Sequence, residues 1–514
     1  MDEMNVADDV SRVAMEDPDR TALLAAGERW SYIELLAAAT AEERALEGAG
    51  VGPGDRVVCM LPNSVTFIAV YLACLRRGYV LVPLAPTASE DEIRHVLADS
   101  GAAAVVVLDE VADAAPAEGA DQVGPLRRIQ RGRTVPRPGA GSLRAAQRSL
   151  TGPLDLDPAW PALLLYTSGT TGRPKGALLS HRNVRFVARS KVRYLGLHHD
   201  DVLLLFLPLH HCFGLNAVLT PGLHAGAAVV VSGRFEREQT LRLIRRHGVT
   251  RLFAVPQAFR MLLDAGVSGH LVPSVRYAMS AGDTLPDDLH DRWERRMGWP
   301  IHQAYGLTEA SPFVTYNHQP RLRPGSVGTA IDGVRVQIRR CSGEPAPRGE
   351  TGEVWVRGPN VMLGYWNAPG ATADAMVDGW LRTADHGRLD EDGYLYLAGR
   401  SNELIIVRGH NVYAAEVERV LRDDERVLDA AVYGVQHDLT GEVVCASVVP
   451  SAAGVDAQAL RARCARHLAA YKVPVMIDLV DALPTGRTGK TDRRALAAQA
   501  RARRAYQAGP KAAS

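Results

Sequence analysis

Between Tyr166 and His181 the chain reads YTSGTTGRPKGALLSH, with hydroxyls, glycines and one lysine packed into the eleven residues after an apolar run. Glycine lets backbone approach an anion closely, and hydroxyls, amides and an ammonium donate hydrogen bonds to it. The chemistry this composition could do is to grip phosphate. It is not a Walker loop, because the Gly-Lys-Ser/Thr ending is absent. A second stretch, PTGRTGKTDR (484–493), does end in Gly489-Lys490-Thr491, but Pro484 stands where the first P-loop glycine belongs. A kinase or ATPase reading therefore fails at both places. GAGVGPG (48–54) misses the GxGxxG spacing and follows no strand, which argues against a nicotinamide cofactor.

Among 59 basic residues only five are lysines: Lys175, Lys191, Lys472, Lys490 and Lys511. Ammonium is a compact point charge and guanidinium a planar fork, so a lysine kept inside a Gly-rich segment of an Arg-rich chain is a candidate for chemistry. Lys175 and Lys490 are in that position. His210-His211 raises a metal reading, but neighbouring histidines on a strand or turn point apart and no third ligand lies nearby in sequence. A pocket wall or gate is the preferred role.

These groups sit in a chain of 514 residues, long enough for two to three domains by the usual length of about 150 each. Formal net charge is +1, so no global field points to nucleic acid or an acidic membrane surface. The six cysteines never fall in CxxC spacing, which weakens a zinc or disulfide framework and suits a reducing compartment. MDEMNVADDV is unlike a secretory signal, and the longest mid-chain apolar run, Val202 to Leu209, stops at eight residues, far short of a membrane span. A cytoplasmic multidomain protein is expected.

The elements that must position the site follow from periodicity. VVCMLPN (57–63) and YVLVPLA (79–85) read as buried strands joined by the helical run SVTFIAVYLACLRRG, which predicts a largely parallel α/β sheet. From about Asp109 to Asp157 the pattern loosens into expected surface loops with a short helix at SLRAAQRSL. Strands return at ALLLYTS (162–168), VLLLFLP (202–208), AAVVVS (227–232) and RLFAV (251–255). Beyond Pro324 come VRVQIRR, GEVWVRG and GYLYLAG, short and turn-rich as antiparallel strands are. From about residue 401, AAEVERVLRD, LDAAVYGV, VVCASVVP and DAQALRARCARHLAAY describe a small α+β domain, and the last dozen residues an Ala/Arg-rich frayed helix or tail.

YTSGTTGRPKG resembles the signature of the adenylate-forming superfamily: acyl-CoA synthetases, non-ribosomal peptide adenylation domains and luciferases. Other motifs similar to that family's occur in the same order: GVGPGDRVVCMLPNS, LPLHHCFG (207–214), SAGDTLP (280–286), AYGLTEAS (304–311), GWLRTADHGRLDEDGYLYLAGR (379–400), VRGHNVYAAEVE (407–418) and TGRTGK (485–490). The resemblance implies an α/β fold: a large N-terminal domain of layered sheets and helices with a β-rich subdomain (1–399), a hinge at 400–402 and a small mobile α+β C-terminal domain (403–514). It implies that a carboxylate attacks the α-phosphate of ATP, releasing pyrophosphate, and that a thiol then displaces AMP.

Residue by residue, the resemblance assigns Thr167, Ser168, Gly169, Thr170, Thr171, Gly172 and Lys175 to the β- and γ-phosphates. Tyr305 is assigned to the adenine ring, with Ala281, Gly282, Asp283 and Gln303 at its edge, and Gly306 to the nucleotide site beside it. Thr308 is assigned to the α-phosphate, Glu309 to Mg²⁺, Asp385 and Arg400 to the ribose, and Lys490 to the carboxylate and α-phosphate during adenylation. For thiol attack the small domain is expected to turn about Asn402, where the family usually has Asp or Lys, and to present the Gly409 loop to the pantetheine channel. Two smaller departures are Ala384, where glycine is common, and Ala414, where proline is common.

Aligned acid-pocket positions are Phe186, His211, Cys212, Phe213, Phe253, Ala281 and Gly306, with His211 as the gate. Adenylation domains for α-amino acids place Asp just after the residue aligned with Phe213; here Gly214 stands there, so a buried ammonium would lack its partner. The expected substrate is an aryl or medium-chain fatty acid without a free α-amine. Coenzyme A is the default acceptor; a stand-alone ligase loading a carrier protein or stopping at the acyl-adenylate, and a non-catalytic nucleotide-binding protein, are the alternatives.

Overall fold

The computed structural model describes residues 5–108, 127–131, 137–139, 143, 154–167, 174–318, 321–400, 404–407, 410–437, 441–451, 454–484 and 491–507. It divides into two compact units, Met1–Val336 with Trp355–Arg382, and Gln337–Val354 with Thr383–Ser514.

The first unit is built on two sheets with parallel centres. One orders its seven strands Gly364–Tyr365, Lys175–Ser180, Pro161–Thr167, Val80–Pro83, Arg56–Met60, Ala104–Leu108 and Arg127–Arg131. The other orders nine: Thr329–Ala330, Thr315–Tyr316, Ile301–Tyr305, Tyr277–Ser280, Arg251–Ala254, Val202–Leu205, Ala228–Val231, Thr21–Ala25 and Glu28–Ser31. Strands such as Val80–Pro83 and Ala104–Leu108 are buried at every residue, which is why they read as apolar runs rather than as alternation. The helix Val65–Arg77 starts on Ser64, whose hydroxyl accepts from Phe67 N, and stops at Gly78 with φ +67°. It is buried from Val65 through Arg76, and a helix apolar on every side belongs in the interior.

Arg127–Arg131 corrects the sequence expectation of loops there: it pairs in parallel with Ala104–Leu108 as an edge strand. Its RRIQR sequence has one buried apolar residue, Ile129, and charged neighbours, a usual dressing for a sheet edge and a weak strand signal. Of SLRAAQRSL all but Leu143 lies outside the described residues.

In the second unit, residues 385–389 pair antiparallel with 395–400, Asp385 opposite Arg400. A further sheet orders His410–Tyr413, Leu404–Val407, Gly441–Pro450 and Val427–His437, with Met476–Leu479 running parallel to Gly441–Pro450. Side chains alternate between the two faces along Val427–His437: Ala430 and Val432 pack with Val417, Leu421, Leu460 and Cys464, while Ala431, Tyr433 and Val435 pack with Leu496 and Ala500. The helices Ala414–Arg422 and Ala457–His467 thus cover one face and Arg493–Gln507 the other. A sheet apolar on both faces needs amphipathic partners on both.

Candidate active site

The segment expected to grip phosphate is flanked by two paired strands. Pro161–Thr167 and Lys175–Ser180 pair antiparallel, with Thr167 opposite Lys175 and Tyr166 opposite Gly176. Thr167 Oγ1 donates to the Lys175 carbonyl at 3.4 Å, and a Cβ on Gly176 would stand 2.7 Å from the Leu164 side chain, which would have to move aside. Ser168, Gly169, Thr170, Thr171 and Gly172 lie outside the described residues.

On its other edge Lys175–Ser180 pairs with the two-residue strand Gly364–Tyr365. This brings Tyr365 to the centre of the site. Its hydroxyl donates to Glu309 Oε1 at 2.8 Å, and Lys175 Nζ lies 5.5 Å from its ring centroid. One aromatic side chain therefore joins the phosphate-loop lysine to the carboxylate assigned to the metal. Sequence reading passed over Tyr365 because a two-residue strand has no periodicity to detect.

Thr308–Ala310 is a single tight turn. Asn360 holds it from below, donating to the carbonyls of Ala310 (3.3 Å) and Phe313 (2.9 Å), while Ser311 Oγ donates to the Asn360 carbonyl at 2.8 Å. Met362 N donates to the Glu309 carbonyl at 2.9 Å. Gly306 is fixed by sterics, since a Cβ there would be driven into the Pro312 carbonyl.

Tyr305, buried, ends the strand Ile301–Tyr305. Ala281, Gly282 (φ +86°) and Asp283 form the turn after the neighbouring strand Tyr277–Ser280, and a Cβ on Gly282 would touch the Phe213 ring at 3.9 Å. Asp283 accepts from Thr284 N at 2.8 Å. With its amide oxygen toward Leu285 N (3.1 Å) and its nitrogen toward the Ser326 carbonyl (3.3 Å), Gln303 is satisfied within the protein. The Ser280 hydroxyl is buried without a partner among the described residues.

The LPLHHCFG segment is clamped by Asn63, whose amide donates to the carbonyls of Leu207 and Ser232 and accepts from Leu209 N at 2.8 Å. Asn63 sits inside the early motif, but nothing in its sequence surroundings singles it out. His211 is exposed and accepts from Phe213 N at 3.2 Å through Nδ1, whereas burial pushes the His210 imidazole down. Cys212 Sγ and Thr308 Oγ1 are hydrogen-bonded at 3.1 Å, joining the acid-pocket motif to the residue assigned to the α-phosphate. A Cβ on Gly214 would collide with the carbonyls of Pro208 and Leu207 (2.8 Å from the latter), so no side chain, acidic or otherwise, fits at 214 without moving backbone. Phe186 packs on Gly333, whose hypothetical Cβ would stand 3.3 Å from its ring, and Phe253 is fully buried.

In the second unit Asp385 is buried, and its N–H donates to Thr383 Oγ1 at 3.1 Å, which in turn donates to the Val354 carbonyl at 2.7 Å. Ala384 adopts φ +58°, the left-handed region that favours glycine, which gives the departure noted in sequence a physical cost. Arg400 closes its strand opposite Asp385. Asn402, Gly409 and Lys490 lie outside the described residues.

For Mg²⁺ the donor set fits. Glu309 offers a hard carboxylate, and among the described residues no cluster of three or more His, Cys, Asp or Glu forms a protein cage. Mg²⁺ is held typically by one or two carboxylates together with substrate phosphates and water. Among the described residues no helix is long and apolar enough to cross a membrane.

The family model described as AMP-binding enzyme matches residues 10–366, and that of the AMP-binding enzyme C-terminal domain matches 416–490. A feruloyl-CoA synthase of Amycolatopsis sp is 36% identical over 489 residues, covering 93% of this chain and 96% of its own. A long-chain-fatty-acid–CoA ligase of Yersinia pestis is 32% identical over 520 residues, covering 94% and 92%. The crystal structure of ATP-bound MatB from Rhodopseudomonas palustris superposes with TM-score 0.88 at 32% identity, covering 96% of this chain and 99% of that one. The chain belongs to the AMP-binding enzyme family. It is an enzyme of the AMP-forming acid–thiol ligase class, with ATP, Mg²⁺ and coenzyme A as its cofactors and co-substrates.

Proposed function

We propose that the protein activates an aryl or medium-chain fatty acid as its acyl-adenylate and transfers the acyl group to coenzyme A in the cytoplasm. The observation that carries this is the Lys175–Tyr365–Glu309 junction, which puts a phosphate-facing cation and a metal-binding carboxylate on one side chain. Two anions, the acid and the triphosphate, must meet; bringing unit charges to about 4 Å costs roughly 4 kcal/mol at an effective dielectric near 20. A penalty of that size is about three powers of ten in rate, so countercharge outweighs acid–base chemistry here.

Lys175 and Thr167 orient the β- and γ-phosphates, Thr308 donates toward the α-phosphate, and Glu309 would hold Mg²⁺, which when bound neutralises phosphate charge. Tyr305 stacks on adenine, with Ala281–Asp283 at its edge, and Asp385 with Arg400 takes the ribose hydroxyls. Lys490 serves adenylation only. The lobes 1–399 and 403–514 turn about Asn402 between half-reactions, bringing the Gly409 loop to the thiol; this is domain closure absorbed by hinge backbone. Phe186, Cys212, Phe213 and Phe253 line an apolar acid site beside the His211 gate. The lack of room at Gly214 supports acids without an α-ammonium.

The test is acid-dependent ATP–pyrophosphate exchange over aryl and C4–C16 acids, followed by thioester formation with coenzyme A and, separately, with a holo-carrier protein. Exchange with thioester on coenzyme A supports the reading. Thioester on the carrier alone selects the carrier-loading alternative, and exchange with neither acceptor an enzyme that stops at the adenylate. No exchange with any acid would leave a non-catalytic nucleotide-binding protein.

A further inference from the structure

The helix His181–Leu195 turns Val184, Val187, Ala188, Lys191 and Leu195 inward. Lys191 thus lies among the apolar members of the helix's buried set, whose other polar members are His181, Asn183 and Arg185. Lys191 is 2% exposed, and its Nζ lies 4.0 Å from the Phe313 ring centroid and 3.7 Å from Met279 Sδ. Among the described residues no carboxylate pairs with it, and burial alone pushes its ammonium down to about 7. A buried cation whose only complements are a ring face and a thioether is poorly satisfied, and such groups are expensive unless something else meets them.

Its neighbours show where it is. Met279 pairs in register with Phe253, an acid-pocket position, and with His302 on the other side, so these side chains share one face of the nine-stranded sheet. Phe313 ends the segment that begins with Gly306 and Thr308, and it is held by Asn360. Other polar groups nearby are already satisfied: Tyr277 and Tyr316 share a hydrogen bond of 2.6 Å, and His302 Nδ1 meets the Asn317 carbonyl at 3.2 Å. Lys191 Nζ, set against a ring face and a thioether, has donors to spare, as has the Ser280 hydroxyl next to Met279.

We propose that Lys191 forms the far end of the acid site and selects acids that carry an oxygen acceptor, a phenolic hydroxyl or a second carboxylate, at the end remote from the reacting carboxyl. This rests on the acid-activation reading above and names its substrate class. A hydrocarbon tail would leave the ammonium unmet, whereas an oxygen would give it a charge-assisted hydrogen bond.

The experiment compares kcat/KM in pyrophosphate exchange for two matched pairs, cinnamate with 4-hydroxycinnamate and hexanoate with hexanedioate, in the wild-type protein and in Lys191→Met and Lys191→Gln. The expected result is a wild-type preference of roughly 10- to 100-fold for the oxygenated member of one pair. Which pair shows it separates a phenol from a dicarboxylate. Lys191→Met should bring that ratio toward unity, and Lys191→Gln, which keeps a donor, should fall between. A wild-type ratio near unity in both pairs, or the same preference in both variants, overturns the inference while leaving acid activation standing. Absence of exchange with every acid overturns both. Should Lys191→Met fail to fold, the ratio in Lys191→Gln decides, and a wild-type ratio near unity overturns the inference without either variant.

Discussion

Lys175 and Lys191 stand sixteen residues apart in the sequence and in opposite circumstances. Lys175 begins a strand opposite Thr167, half-buried, beside a tyrosine hydrogen-bonded to a carboxylate. Lys191 lies on the inward stripe of the following helix, with a ring face and a sulfur for company. The first charge sits where phosphate oxygens and a metal can complete it. The second is met by the Phe313 ring and the Met279 sulfur, with no carboxylate beside it among the described residues. The contrast sets one residue type in two environments, and the purposes proposed for them differ accordingly.

The sharpest way to break the comparison is at the phosphate end. Lys175→Ala and Glu309→Gln should each lower pyrophosphate exchange by roughly 10²- to 10³-fold, the usual loss when a group stabilising transition-state charge is removed. Exchange left within a few-fold of wild type would show that the junction is structural. At the other end, Lys191→Met should raise stability at pH 7 by about 1–4 kcal/mol, as apolar replacements of buried charges often do. The sign with pH follows from the lowered folded value. Between about 7 and the ordinary lysine value of 10.5 the unfolded chain holds the proton and the native chain does not, so stability rises with pH through that window. Denaturant melts from pH 6.5 to 10 should show this slope in wild type and its loss in Lys191→Met; equal slopes would refute the burial argument.

A smaller effect is expected for Tyr365→Phe, which deletes the hydroxyl bonded to Glu309 and keeps the ring under Lys175. Supporting groups around a metal ligand are worth about 10- to 100-fold. The loss should appear as a raised Mg²⁺ requirement that excess Mg²⁺ partly restores; a change in acid KM alone would place Tyr365 elsewhere. Smallest is Ala384→Gly, which relieves a left-handed alanine beside Asp385 and should stabilise by about 0.5–1 kcal/mol in thermal melts, with no gain if that φ is not strained.

Much of this was legible in the sequence because close packing enforces residue type. Gly306 and Gly214 lie so close to neighbouring backbone that any side chain would collide with it, and such constraints leave spelling that can be recognised. What escaped notice depends on contacts between distant segments. Asn63, Asn360 and Tyr365 act through single hydrogen bonds to backbone or carboxylate across the unit, and an isolated polar residue in a loop or short strand has no local signature. The strand Arg127–Arg131 was hidden by its charges. Lys191 did have a signal: it falls at i+4 from Val187 and i−4 from Leu195, in the register of a core residue.

The pairing of Thr167 with Lys175 has one more consequence. A turn that runs from strand into helix, as in Walker proteins, greets phosphate with a stack of aligned peptide dipoles. Here the flanking strands pair directly, and Lys175 at the start of the second is an ammonium on a flexible stem rather than a fixed dipole. If Lys175 holds the departing phosphates as proposed, a grip from a movable side chain opens more readily than one cast into the backbone.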